Sequence, residues 1–406
     1  MAVNVPPLQE LLAVPGVSLG TAAAAIKSPD RDDVAVVLLG PDTSAAGVFT
    51  RSSFRAAPVT IADRRLSDGH ARALVINSGN ANAATGDPGM VDALAVCDAV
   101  AAALDVPGDA VLPFSTGVIG ERLPVAKMLP AVEAACARLS PEGWDAAARA
   151  IMTTDTAPKA VSRRVSIAGE QVTITGIAKG AGMIKPDMAT MLGFVCCDAA
   201  VAPGCLFGLV REVAERSFNR ITVDGDTSTN DAFILCATGC ADHTLITHDG
   251  CEGYAELREG LAEVATELAQ SIVRDGEGAT RFVTVRVSGG EDAAECLQVA
   301  YTVAESPLVK TAIFAGDPNW GRFCMAIGRA GIADLDTQRV SLDLDDVPIA
   351  LGGLVAPNYD EAAAAEVMAR AEFEVHVDLG RGNAEETVWT TDLSYEYVRI
   401  NAEYRT

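Results

Sequence analysis

One threonine near the middle of the chain, Thr190, has neighbours that suit a nucleophile. It stands in AKGAGMIKPDMATMLGFVCC, after a glycine-rich loop and directly before an apolar, strand-like run. Histidine is scarce: His70, His243, His248 and His376 are all there is. His243 and His248 read as loop residues, and His376 as a solvent-facing strand residue in FEVHVDL, so a Ser-His-Asp or Cys-His triad has few candidates. A hydroxyl nucleophile then needs another base. One solution is its own α-amino group, freed when the preceding peptide bond is cut. An amine with a pKa of about 8 suits proton transfer at neutral pH. Such a residue begins an internal strand, follows a small residue, and has glycines nearby that let the backbone strain. Ala189-Thr190-Met191 fits, which opens self-cleavage at Ala189-Thr190 beside the plainer reading of a turn.

Four other polar stretches lie among apolar runs. NSGNANA (77–83) holds three asparagines. PFSTGVIGE (113–121) puts Ser115, Thr116 and Gly117 together. TVDGDTSTND (222–231) packs four acidic or amide residues and four hydroxyl residues into ten positions. GDPNWGR (316–322) follows an apolar helix pattern. Each has a bland explanation. Asparagine and glycine clusters are turn formers, and STG is compatible with a tight turn. TVDGDTSTND lacks the glycine and glutamate spacing of a calcium loop. PNWGR is compatible with a helix stop carrying a packed tryptophan, and GAG alone is a weak phosphate cradle.

These groups need elements to hold them. Alternating or β-branched runs predict strands at 34–39, 73–79, 171–180, 191–201, 221–226, 232–239, 281–289, 339–345 and 373–379. Helical periodicity predicts helices at 91–104, 124–139, 206–218 and 256–273, with 306–316 and 360–371 as further candidates. Consecutive strand pairs (171–178 with 191–199, 221–225 with 232–238) imply antiparallel or mixed sheets with helices outside them. A layered α/β/β/α sandwich would bury so many alanine-rich helices. The expected division is an N-terminal αββα region, 1–280, and a smaller C-terminal α/β region, 281–406.

The chain has 406 residues, 49% of them apolar, and a formal charge of −24. That balance argues against a nucleic-acid partner and against anionic membrane surfaces. With no long apolar run and no basic-then-apolar leader, the expectation is a cytoplasmic protein. The ten cysteines are scattered through apolar segments and read as reduced core residues; their spacing suits no zinc site. No metal or resident cofactor is expected, and HExxH and P-loop patterns are absent.

Taken together, NSGNANA, STGVIGE, KGAGMIKPDMATML, TVDGDTSTND, GEGATRF and GDPNWGR resemble the ArgJ family in order and over essentially the whole chain. That family comprises the glutamate N-acetyltransferases, or ornithine acetyltransferases, of arginine biosynthesis. The resemblance implies a DmpA-like fold with N-terminal-nucleophile logic and a precursor that cuts itself at Ala189-Thr190. The products would be an α chain, 1–189, and a β chain, 190–406, assembling as α2β2 or larger. It implies a ping-pong acetyl transfer from N2-acetylornithine to glutamate through acetyl-Thr190, with acetyl-CoA as a further possible donor. Thr116 and Gly117 would form the oxyanion hole. Lys179 would bind the substrate α-carboxylate, and Glu277 would orient the substrate or the Thr190 amine. Thr153, Asn401 and Thr406 would complete the pocket. The alternatives are an amidohydrolase or aminopeptidase of the same fold using the same Thr190, and an uncleaved binding protein.

Overall fold

The protein is described by a computed structural model over residues 2–185 and 191–403. Ala189, Thr190 and Thr406 lie outside the described residues. The chain opens with β1 (Val17–Ala22), β2 (Val34–Leu39), β3 (Ser44–Phe49) and α1 (Ala57–Arg65). Next come β4 (Ala73–Asn80), α2 (Gly86–Leu104), β5 (Val111–Val118), α3 (Val125–Cys136) and α4 (Trp144–Ala150). The central stretch holds β6 (Lys159–Ile167), β7 (Glu170–Lys179), β8 (Leu192–Cys197), α5 (Pro203–Arg216), β9 (Ala232–Ala237) and α6 (Tyr254–Arg274). The last third holds β10 (Phe282–Gly290), α7 (Ala293–Ala304), α8 (Pro307–Ala315), α9 (Trp320–Gly328), β11 (Ser341–Leu344) and β12 (Val347–Leu351). It ends with β13 (Leu354–Val355), α10 (Glu361–Ala369), β14 (Glu372–Asp378), β15 (Ala384–Thr391) and α11 (Tyr395–Glu403).

Three sheets form. The first runs β1-β2-β4-β5, the second β3-β9-β8-β7-β6 and the third β13-β12-β11-β14-β10-β15. Each is mixed: β4–β5, β8–β9 and β10–β14 are parallel, and the other pairs antiparallel. Strand alternation sorts the side chains into layers. Val37, Leu74, Ile76 and Phe114 of the first sheet meet Ile177, Phe194, Ile234 and Cys236 of the second in one core. There the Phe114 and Phe194 rings pack edge-on, 5.0 Å between centroids. The opposite face of the first sheet (Val34, Val36, Val75, Val111) packs on α2 and α3 through Val96, Val100, Met128 and Val132. The opposite face of the second (Ile174, Val195, Phe233, Leu235) packs on α5 and α6 through Leu209, Val213, Leu261 and Leu268. Helix, sheet, sheet, helix is the expected layering. The third sheet has its own core, in which Val283, Val285, Val375 and Val377 meet Val299, Val303, Ile313, Phe323 and Met368.

Two local expectations fail. ITVDGD (221–226) is not a strand. It is a loop with one isolated bridge, Ile221 to Trp389, because Asp224 turns inward to take main-chain N–H groups. Its supposed partner β9 pairs with β8 and β3 instead. STG is not a separate tight turn, since Ser115, Thr116 and Gly117 are the last residues but one of β5. The ten cysteines are unbonded.

Candidate active site

The β4 and β5 strands run parallel, and their ends build the first wall of a cleft. Ser78 pairs with Thr116, and Gly79 with Gly117. Gly117 has φ +134°, and a Cβ there would stand 2.3 Å from the Gly79 carbonyl carbon. Only glycine fits this approach. The asparagines that read as turn formers are the fasteners of this wall. Asn77 accepts from the Ser115 hydroxyl (2.7 Å) and donates to the Asn80 carbonyl (2.8 Å). Asn230, from the loop before β9, donates to the carbonyls of Ala81 (2.6 Å) and Ser115 (2.8 Å). Thr116 and Gly117 are thereby held at the cleft.

The second wall is the end of β7. Lys179 is buried, and its Nζ donates to Thr116 Oγ1 at 3.2 Å. A hydroxyl that accepts from an ammonium keeps its own proton free for another acceptor and is the stronger donor for it. Burial pulls the Lys179 ammonium below its ordinary pKa; Asp155 foremost opposes that, with Asp231 and Glu277 also favouring the charge.

The third wall is the α6–β10 loop. Glu277 N–H donates to the Ala181 carbonyl (2.8 Å), which brings the Glu277 carboxylate against Gly182. A Cβ on Gly182 would lie 2.4 Å from that carboxylate. The GAG stretch is therefore neither a phosphate cradle nor a simple turn; its second glycine makes room for Glu277. From α11, Asn401 Nδ2 donates to Glu277 Oε2 at 2.8 Å. The C-terminal helix does fold inward, anchored by Ser394 to the Gly278 carbonyl and by Tyr397 to Asp224.

Thr116, Gly117, Thr153, Lys179, Glu277 and Asn401 all line one cleft. Thr153 and Thr154 both face it, so the ambiguity between them in the sequence is also present in space. Met191, the residue after Thr190, lines the cleft too, and its carbonyl accepts from Ala232 N–H at 2.9 Å. Sequence reasoning missed Asp231. This carboxyl is buried in the same lining, and its Oδ2 accepts no hydrogen bond among the described residues. Burial drives it well above the ordinary carboxyl range, against the pull of Ser228, Lys179 and Thr50. The signal was present in TVDGDTSTND, an acid placed directly before an apolar strand.

Other motif residues lie elsewhere. Lys185 pairs with Glu305 at 3.0 Å. GDPNWGR is a helix stop and a helix start: Gly316 ends α8 in the left-handed conformation, and Trp320 begins α9 and packs on the third core. Gly16-Val17-Ser18-Leu19-Gly20 has the spacing of a nucleophile elbow, but Ser18 lies inside β1 opposite Leu38 and lacks the strand-turn-helix setting. Among the described residues no group of three or more His, Cys, Asp or Glu is placed to hold a metal ion. Nor is any helix among them long and apolar enough to cross a membrane.

In this face-to-face αββα sandwich, strand ends bring a hydroxyl, a closely packed glycine and a buried lysine to a loop glutamate, an arrangement suited to acyl transfer in a main-chain-framed cleft. The ArgJ family model matches residues 18–406, and the chain belongs to the ArgJ family. The arginine biosynthesis bifunctional protein ArgJ of Pseudomonas syringae pv. tomato is 53% identical over 406 residues, all of both chains. The crystal structure of the arginine biosynthesis bifunctional protein argJ from Bacillus halodurans is 36% identical, covering 53% of this chain and 100% of that one, with a TM-score of 0.51. An ornithine acetyltransferase from Mycobacterium tuberculosis, solved with ornithine, is 37% identical over 45% of this chain and 98% of that one, with a TM-score of 0.40.

Proposed function

We propose that this chain is an acetyltransferase of arginine biosynthesis, moving acetyl from N2-acetylornithine to glutamate through an ester on Thr190. One observation carries the reading. Six residues from five separate stretches of sequence, Thr116 and Gly117, Thr153, Lys179, Glu277 and Asn401, converge on one cleft that Met191 also lines. Thr190 precedes Met191 and, with Ala189, belongs to the cleavage site. The free amine of Thr190 takes the Oγ proton as Oγ attacks the acetamide carbonyl carbon. The oxyanion is met by the Thr116 hydroxyl and the Gly117 N–H. As the C–N bond breaks, the proton passes to the departing ornithine amine. Glutamate enters, its amine attacks the ester carbonyl, and Thr190 Oγ recovers a proton as N-acetylglutamate leaves. Lys179 takes the α-carboxylate common to both substrates, and Thr153, Asn401 and Thr406 complete the pocket.

Acetyl-CoA is a second donor to the same ester, because a thioester acylates a hydroxyl more readily than an amide does. The reaction needs no metal or resident cofactor. The precursor cuts itself at Ala189-Thr190 into chains 1–189 and 190–406, and these pair as α2β2 or larger. The half-length of the Bacillus halodurans chain supports that division: all of it is matched by 53% of this chain, and residues 190–406 are 217 of 406, about the same share.

The deciding experiment is mass spectrometry after brief exposure to N2-acetylornithine, with the gain of one acetyl on Thr190 of the 190–406 chain expected. Ornithine release at full rate without glutamate would make the protein an amidohydrolase instead.

A further inference from the structure

Beneath the cleft lies a set of buried charges that the acetyl-transfer reading leaves unused. Lys159, at the start of β6, is fully buried. Its three ammonium protons have three acceptors: Asp155 Oδ1 (2.7 Å), Asp275 Oδ2 (2.7 Å) and the Ala157 carbonyl (3.2 Å). The two carboxylates are equally saturated. Asp155 Oδ1 also accepts from Gly180 N–H (2.7 Å), and its Oδ2 from Thr153 N–H (2.9 Å). Asp275 accepts from the N–H groups of Thr156 (2.9 Å) and Ala157 (3.2 Å) and from the Thr156 hydroxyl. Three separate segments meet here. One carries Thr153, one carries Lys179 beside Gly180, and one carries Glu277, two residues after Asp275.

The charges do not cancel. Two carboxylates and one ammonium leave one negative charge in a dry interior. Lys179 is the next cation, and it interacts with both Asp155 and Lys159. An isolated ammonium at that depth would give up its proton rather than stay charged. The groups facing Lys179 are the Asp155, Asp231 and Glu277 carboxyls, the Lys159 ammonium and the Thr116 hydroxyl. Asp155 is the strongest of those that favour its charge.

We propose that Asp155, Lys159 and Asp275 are positioning residues of the substrate site: one buried network that fixes the segments bearing Thr153, Lys179 and Glu277, so that the Lys179 side chain stands where it can hold a carboxylate. The inference rests on Lys179 being the carboxylate contact. Asp155→Asn is the direct test, read as KM against kcat for N2-acetylornithine and for its α-carboxamide. The expected result is a rise in KM for the carboxylate substrate of about tenfold, with kcat changed less than about threefold and the carboxamide KM unmoved. A loss of folded protein alone would instead lower apparent kcat at constant KM. If Asp155→Asn folds and leaves KM unchanged while Lys179→Met raises it, the inference is overturned and the substrate contact stands. If Lys179→Met leaves KM unchanged, the substrate contact itself falls, and the inference with it. Should Asp155→Asn fail to fold, Thr156→Val removes only one hydroxyl bond to Asp275. A rise of roughly threefold in KM is then expected, and an unchanged KM overturns the network's role.

Discussion

At the scale of single residues, the cleft separates groups that bind from groups that only shape. On the proposed reaction Thr116 is in the first class. Thr116→Val keeps the volume and removes the donor, so ornithine release at saturating N2-acetylornithine is expected to fall by a factor of about 10², close to 3 kcal/mol in the barrier. Gly117 combines both roles. With φ +134° and the Gly79 backbone where a Cβ would stand, Gly117→Ala is expected to displace the β4–β5 ends, and soluble, processed protein should be largely lost on expression. Polar stretches among apolar runs drew attention to Thr116, Gly117 and Lys179, whereas Thr153, Glu277 and Asn401 entered only through the resemblance to the ArgJ family. The sequence hid Asp155, Lys159 and Asp275, since a buried charge and a solvated one look alike until their partners are known. Those partners lie as many as 119 positions away.

At the scale of elements, α8 and β15 meet over a buried lysine. Lys310 donates to Thr390 Oγ1 at 3.1 Å and to the Thr391 carbonyl. Burial pulls its pKa from 10.5 to about 8, against the attraction of Asp392, Asp224 and Glu305. The unfolded chain therefore binds this proton more readily than the folded one between about pH 8 and pH 10, and stability gains from this group as pH rises through that window. At neutral pH the group costs about 3 kcal/mol. Lys310→Met should abolish this pH-dependent part. The difference in urea unfolding free energy between variant and wild type is expected to shift by about 3 kcal/mol between pH 7 and pH 10. Elements with strong periodicity, such as β7, β8, α5 and α6, were legible in the sequence. β3 was not, because SAAGVF has too few large residues for alternation to show. Nor was β5, whose Pro113 argues against a strand unless it lies at a sheet edge, as it does here. ITVDGD failed in the other direction, with strand-like spacing spent on a loop whose Asp224 accepts from the Met183 and Ile184 N–H groups.

At the scale of the whole molecule, denaturing electrophoresis of wild type should show two bands near half the full length, and Thr190→Ala a single full-length band without activity. Two fragments from Thr190→Ala would rule out Thr190 as the cleaving nucleophile. Under native conditions the wild type should migrate as one species containing both bands. The reason lies in the order of the second sheet. β3, β6 and β7 precede residue 189, β8 and β9 follow it, and the spatial sequence β3-β9-β8-β7-β6 interleaves them. Among the described residues β3 pairs within this sheet with β9 alone, and β7 lies between β6 and β8. Residues 1–189 hold all of the first sheet and residues 190–406 all of the third, but neither piece holds the whole of the second, which lies between them and needs both. On the proposed cleavage, this sheet is woven from an uncut thread before the thread is cut, and cutting removes the loop connection that made the weaving intramolecular. Once the two pieces are unfolded, they would have to find each other by diffusion and assemble a sheet in alternating turns. The mature protein is thus expected to be durable while folded but unable to regain its fold after denaturation, a molecule whose assembly instructions are consumed in making it.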